Sequence, residues 1–180
     1  VQGGFIVGFD SDPSSIFQKV IDFVQESGIV TAMVGLLNAP VGTKLYQRLM
    51  KEGRLLKTMT GDNTDFSMNF IPRMNREALL KGYRSLLEHI YSPKPYYARV
   101  KQFLRTYTPP AVHLSRLTIA DIRALVASTV VLGVVGKERF QYWKLFLWSL
   151  FTRPRLFPLA ITFSIYGHHF RKILEVYAAG

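Results

Sequence analysis

The chain has 180 residues, 48% of them hydrophobic, with 23 Lys and Arg against 12 Asp and Glu and a formal net charge of +11. That length suits one domain, or part of one plus a small second domain, and the apolar content excludes a disordered chain. With no cysteine, the chain alone forms no disulfide and no Cys-held zinc or iron–sulfur site.

The charge is uneven. Residues 1–60 carry six basic and five acidic side chains, and residues 61–180 carry seventeen and seven. Such a bias points to nucleic acid, an anionic membrane surface or an acidic partner without choosing among them. The start reads as a strand, with no basic stretch or cleavage site of a signal peptide. The apolar runs 124–136, 140–151 and 156–166 are each shorter than the roughly 18–20 residues a spanning helix needs. The expectation is a cytoplasmic chain, with peripheral membrane contact as the minority reading.

Phe5 to Phe9 is apolar without alternation, which predicts a strand buried on both faces in a parallel sheet. Asp12 is expected to cap a helix with Pro13 at its first position. Ile16, Phe17, Val20, Ile21 and Val24 recur at helical spacing, and Gly28 predicts a left-handed end. Ile29–Leu37 reads as a second buried strand, so residues 1–37 form a βαβ unit with a right-handed crossover. Thr43 is expected to cap a helix from Lys44 to about Glu52, ended by Gly53. Thr58–Asn69 reads as a long polar loop, either a substrate lid or an ordinary connection. Beyond Pro72 the pattern is helical throughout. Helices are predicted after Asn75, over Tyr96–Tyr107, from Thr118 through Val131, over Phe140–Phe151 and over Pro158–Tyr177. A domain boundary is expected near residue 70, giving 1–70 and 71–180.

The familiar catalytic patterns are weak or missing. Gly3, Gly4 and Gly8 lack the spacing and position of a dinucleotide-binding turn, and Val41-Gly42-Thr43-Lys44 is no P-loop. His168 and His169 are adjacent, so on a helix they point about 100° apart and do not converge on one metal. His89 and His113 have no ligand-spaced partner. No metal site is predicted. Asp10 and Asp12 sit where a β/α barrel carries catalytic groups, but capping is the better reading of Asp12. Basic residues interleave with Tyr91, Tyr96, Tyr97 and Tyr107. A solvated face is favoured over nucleic-acid binding, because no nucleic-acid motif accompanies them.

Gly4-Phe5-Ile6-Val7-Gly8-Phe9-Asp10 resembles the G-x-I-x-G segment of a late barrel strand in radical S-adenosylmethionine enzymes. Leu37-Asn38-Ala39-Pro40-Val41-Gly42-Thr43-Lys44-Leu45-Tyr46 resembles their next strand and turn. Asn69-Phe70-Ile71-Pro72-Arg73-Met74 and Gly167-His168-His169-Phe170 resemble the helical C-terminal domain of a subgroup that usually also carries a cobalamin-binding domain. The resemblance implies an α/β then all-α chain: the terminal βαβ piece of a partial β/α (TIM-like) barrel, then a helical domain.

It further implies S-adenosylmethionine and a [4Fe–4S] cluster, the latter held by a C-x3-C-x2-C motif outside this chain, and cobalamin held by another domain. Ile6, Val7, Gly8, Leu37, Asn38 and Ala39 match the segments that border the adenine. The family's acidic residue near position 11 is Ser11 here. The implied protein is the C-terminal part of a methyltransferase-like enzyme that starts from reductive cleavage to a 5′-deoxyadenosyl radical. It would be inactive without the missing N-terminal portion and would act on a small-molecule or lipid substrate. No nucleic-acid partner is expected. The rival reading is a non-catalytic basic helical module that binds nucleic acid, a membrane surface or an acidic partner.

Overall fold

The computed structural model describes residues 2–56, 68–109 and 118–179. Strands β1 (Gln2–Val7) and β2 (Thr31–Leu36) pair in parallel, in register from Gln2 opposite Thr31 to Val7 opposite Leu36. Leu37 N–H donates to Val7 O at 2.8 Å and extends the ladder by one step. Helix α1 (Ile16–Ser27) joins the strands. The α/β opening followed by helices is as expected; the sheet has two strands and the described residues form no barrel.

The strands are not buried on both faces. Ile6 and Met33 are 55% and 63% exposed, whereas Val7 and Val34 are buried. Side chains alternate along a strand. The paired positions Gly4–Met33 and Ile6–Gly35 therefore share one open face. The other face meets α1, where Phe5 and Phe23 pack edge to face at 5.9 Å. Half of the side chains in the continuous apolar run face no packed layer among the described residues.

Local chemistry sets most helix ends. Tyr46 N–H donates to Thr43 Oγ1 at 3.2 Å to open α2 (Lys44–Lys51), and Gly53 follows with φ 65°. Ala78 N–H donates to Asn75 Oδ1 at 3.0 Å to open α3 (Arg76–Tyr91). Gly28 has φ 69° as expected. Asp12 departs from expectation: its carboxylate turns back to Gly8 and Phe9 N–H at 2.8 and 3.0 Å, and α1 starts only at Ile16. The strand's own exit amides outcompete the helix for the same acceptor. The expected loop 58–69 lies outside the described residues, except for Met68 and Asn69.

The chain divides into two compact units, Val1–Ser27 with Thr31–Ile90, and Gly28–Val30 with Tyr91–Gly180. In the first, Tyr83 of α3 donates to Val34 O at 2.8 Å. The second contains α4 (Pro93–Thr106), α5 (Ile119–Ser128), a π-helical segment (Thr129–Val135), α6 (Arg139–Thr152), a short 3₁₀ turn (Pro154–Leu156) and α7 (Phe157–Ala179). Helix α4 begins at Pro93, three residues before the expected Tyr96. A first-turn proline lacks only an N–H that would go unused there. Its core includes Tyr96, Val100, Leu104, Leu132, Tyr142 and Leu145.

The π segment has a local cause. Ser128 and Thr129 hydroxyls both donate to Leu125 O, at 2.9 and 2.8 Å, which competes with the helical ladder. Buried Glu138, just past it, accepts from Arg171 at 2.8 Å and meets His168 Nδ1 at 2.9 Å. Burial pushes its carboxyl upward, but these two partners outweigh burial and hold it below the usual range.

Two helical glycines mark close approaches. A Cβ on Gly82 would overlap the Phe17 ring, and one on Gly167 would overlap the Tyr96 ring. Helix propensity alone favours alanine over glycine by about 1 kcal/mol. Tyr96 is fully buried and cannot move aside, whereas Phe17 is half-buried. Gly167→Ala is therefore expected to cost about 1–3 kcal/mol in chemical denaturation, and Gly82→Ala less. A stabilised Gly167→Ala would refute the close packing.

Candidate functional site

The C-terminal ends of parallel strands are where an α/β sheet carries its ligands. Here those ends are Ile6-Val7-Gly8 and Leu37-Asn38-Ala39. Ile6 stands on the open face beside Gly35. An added Cβ at Gly4 or Gly35 would meet no atom within 4 Å, so nothing among the described residues covers this face at those positions. Val7 points the other way and is fully buried. Gly8 has φ 102°, a conformation side chains rarely adopt, and a Cβ there would only touch Met68 Cε at 3.4 Å, so the backbone conformation sets the need for glycine.

The second strand end is locked by Asn69. Ala39 N–H donates to Asn69 Oδ1 at 2.9 Å, and Asn69 Nδ2 donates to Ala39 O at 2.8 Å. Asn69 N–H in turn donates to Asn38 Oδ1 at 3.0 Å. Ala39 and Asn69 are both buried. This amide clamp spans some thirty residues of sequence. Sequence reasoning placed Asn69 in a polar loop; no local signal announces a buried, non-local pairing.

Asp10 sits beside the first strand end. Arg54 grips it bidentately, Nη2 to Oδ1 at 2.6 Å and Nη1 to Oδ2 at 2.9 Å, and Arg48 Nη2 adds 2.9 Å. Arg54 also donates to Glu52 at 2.8 Å and to Ile71 O at 2.8 Å. The Asp10 and Arg54 side chains are 14% and 15% exposed, whereas Arg48 and Arg73 are 53% and 68% exposed. The Arg54 pair is therefore the strong contact, and the outer arginines contribute little. Asp10 is a tether for the strand end, with its oxygens already occupied.

The structure thus brings the six predicted residues together at one end of the sheet. Their exposed apolar side chain is Ile6, while the Gly8 N–H and both Ala39 backbone groups are engaged within the chain. Among the described residues no cluster of three or more His, Cys, Asp or Glu is placed to hold a metal. His168 is tied to Glu138 instead.

The Arg54 hydrogen bond, with charge from Arg54 and Arg48, holds the Asp10 carboxyl below its ordinary value against modest burial. Its contribution is therefore full above the unfolded value near pH 4 and disappears as pH falls through the folded one. Asp10→Asn is expected to cost about 2 kcal/mol at neutral pH and to flatten the acid limb of stability. An unchanged acid limb in pH-dependent denaturation would rule out this tether.

Comparison with known proteins places these features in a family. Residues 43–180 match the domain of unknown function DUF4070. An uncharacterized methyltransferase of Synechocystis is 30% identical over 176 residues, covering 96% of this chain and 33% of that protein. The hopanoid C-2 methylase of Rhodopseudomonas palustris is 23% identical over 151 residues, covering 80% of this chain and 28% of that protein. The chain spans about a third of the length of these curated relatives. No solved structure matches it. The chain belongs to the DUF4070 family, found in radical S-adenosylmethionine proteins of the cobalamin-binding, methyltransferase type, and corresponds to a C-terminal part of them.

Proposed function

We propose that this chain supplies the last strands of the catalytic barrel and a substrate-side helical unit to a cobalamin-dependent radical S-adenosylmethionine methyltransferase. The observation that carries the reading is the open apolar sheet face ending at Gly8 and Ala39, in a chain of this family. In a β/α barrel the face away from the helices is the interior, and ligands lie at the strands' C-terminal ends. A purine needs an apolar wall and close backbone approach. Ile6 offers the wall, and Gly4 and Gly35 leave room for the approach. Leu37, Asn38 and Ala39 form the neighbouring border, held in place by Asn69.

The iron–sulfur cluster does not fit the residues here. The chain has no thiolate to offer, so the ligands come from outside these 180 residues, as does any cobalamin-binding domain. When bound, and reduced by one electron from a cluster held outside these residues, S-adenosylmethionine would supply the radical that opens an unactivated carbon to methylation. The 180 residues contribute the rigid wall and its tethers. The partners in this reading are the remainder of the enzyme and a small-molecule or lipid substrate.

In the full-length, cluster-reconstituted enzyme, Ile6→Asp and Gly35→Phe are each expected to raise KM for S-adenosylmethionine at least about tenfold, the scale of one lost apolar contact surface. A circular-dichroism melt that matches the unmutated enzyme checks that each variant folds. An unchanged KM in both variants would remove the adenine wall from this face. Failure of the unmutated enzyme to form 5′-deoxyadenosine would remove the radical reading itself.

A further inference from the structure

The second unit leaves an unusual amount of apolar surface in water. Of 23 exposed large hydrophobic side chains among the described residues, twelve fall between Ile119 and Phe151. They are arranged in rows. On α6, Phe140, Trp143, Leu147 and Phe151 recur at steps of three and four, the spacing of one helical face. Phe140 and Phe151, near its two ends, are 69% and 78% exposed. The opposite side of α6 is buried through Tyr142, Leu145 and Ser149. A second row runs along α5 and the π segment through Ile122, Val126, Val130 and Val134. Trp143 joins the two elements, its indole N–H donating to Gly133 O at 3.0 Å.

The charges around these rows are one-sided. Exposed Lys137 and Arg139 flank the start of α6, and exposed Arg153 and Arg155 flank its end. From residue 118 to 157 there are six cations and two acids, Asp121 and Glu138. Glu138 is buried against Arg171 and His168. A rim of cations around an apolar strip complements a surface that is oily inside and anionic at its edge. No described helix is long and apolar enough to cross a membrane, so α6 is suited to lie in the headgroup plane. An amphipathic indole at the seam fits the same boundary.

We propose that α6 with the α5–π row forms an interfacial docking surface for an anionic lipid bilayer. It deepens the function proposed above by naming the place from which a lipid substrate would be drawn, but its geometry stands without that reading.

The test is flotation of the full-length protein with phosphatidylcholine vesicles, with and without phosphatidylglycerol. The expected result is co-flotation with the anionic vesicles that weakens as salt rises. Phe140→Asp with Phe151→Asp is expected to lower partitioning at least about tenfold while the circular-dichroism melt stays unchanged. Lys137→Glu with Arg139→Glu is expected to lower binding to anionic vesicles only, and gives a second readout should the phenylalanine variant fold poorly. Absence of flotation, or flotation that neither variant changes, would overturn the proposal. So would a concentration-dependent dimer in sizing that the phenylalanine variant dissolves, which would assign the strip to a second copy. Formation of 5′-deoxyadenosine is measured separately, so the failure of either reading is visible on its own.

Discussion

The side-chain amide of Asn69 holds together the part of the molecule on which the site depends. Ala39 is fully buried at the end of the second strand's path, where no further ladder partner takes its N–H and C=O. A buried backbone group left unpaired costs on the order of 1–3 kcal/mol. Asn69 satisfies both groups with one planar donor–acceptor pair. Because Asn69 N–H also reaches Asn38 Oδ1, the clamp fixes the strand exit at three points. The antiparallel bridge between Leu55 and Phe70 then follows directly, with Leu56 N–H on Asn69 O and Ile71 N–H on Arg54 O. Arg54 is thereby placed to grip Asp10 at the other strand end. The two strand ends are tied by side chains from the two arms of this bridge, so the tethers share it.

In the second unit the controlling constraint is close packing around tyrosines. Tyr96 is fully buried with its hydroxyl on Phe163 O at 2.7 Å, and Gly167 lets α7 approach its ring. Arg99 is buried nearby, its Nε donating to Ile29 O at 3.1 Å and its guanidinium 5.5 Å from the Tyr96 ring centre. The interior of this unit thus mixes aromatic and aliphatic side chains with a buried cation, while the apolar rows on α5, the π segment and α6 stay exposed.

How much of this was legible follows from how local each cause is. Thr43, Asn75, Gly28 and Gly53 act within four residues of themselves, and sequence alone located them. Asp12 is equally local, yet two sets of amides compete for its carboxylate, and sequence pattern does not rank them. Ile6 and Met33 read as core because hydropathy records what a side chain is, not whether a layer covers it. The pairings of Asn69, read only as part of a candidate loop and a motif, and of Arg54 were invisible because their partners lie thirty and forty-four positions away. The strand ends themselves were legible through their motifs; what holds them was not. The π segment was hidden as well, since its cause is a pair of hydroxyls sharing one carbonyl within an otherwise apolar helix.

The two exposed apolar surfaces of this chain differ in kind, and the difference carries the functional argument. The sheet face is small and flanked by glycines and engaged backbone, and the Asp10 carboxylate beside it is paired with Arg54. Such a surface suits a flat, largely uncharged ring pressed against rigid walls. The helical rows are long, rimmed by cations and without exposed acids at the ends of α6. That surface has too few fixed polar groups to orient a single small ligand, but it suits a partner that is fluid and anionic. A protein interface would need compensating acids for Lys137, Arg139, Arg153 and Arg155 on the other side, at a desolvation cost that a hydrated headgroup layer does not impose. Shape and charge thus separate the two faces in the same sense as the occupants proposed for them above, a flat ring on the sheet face and a lipid surface on the helical rows.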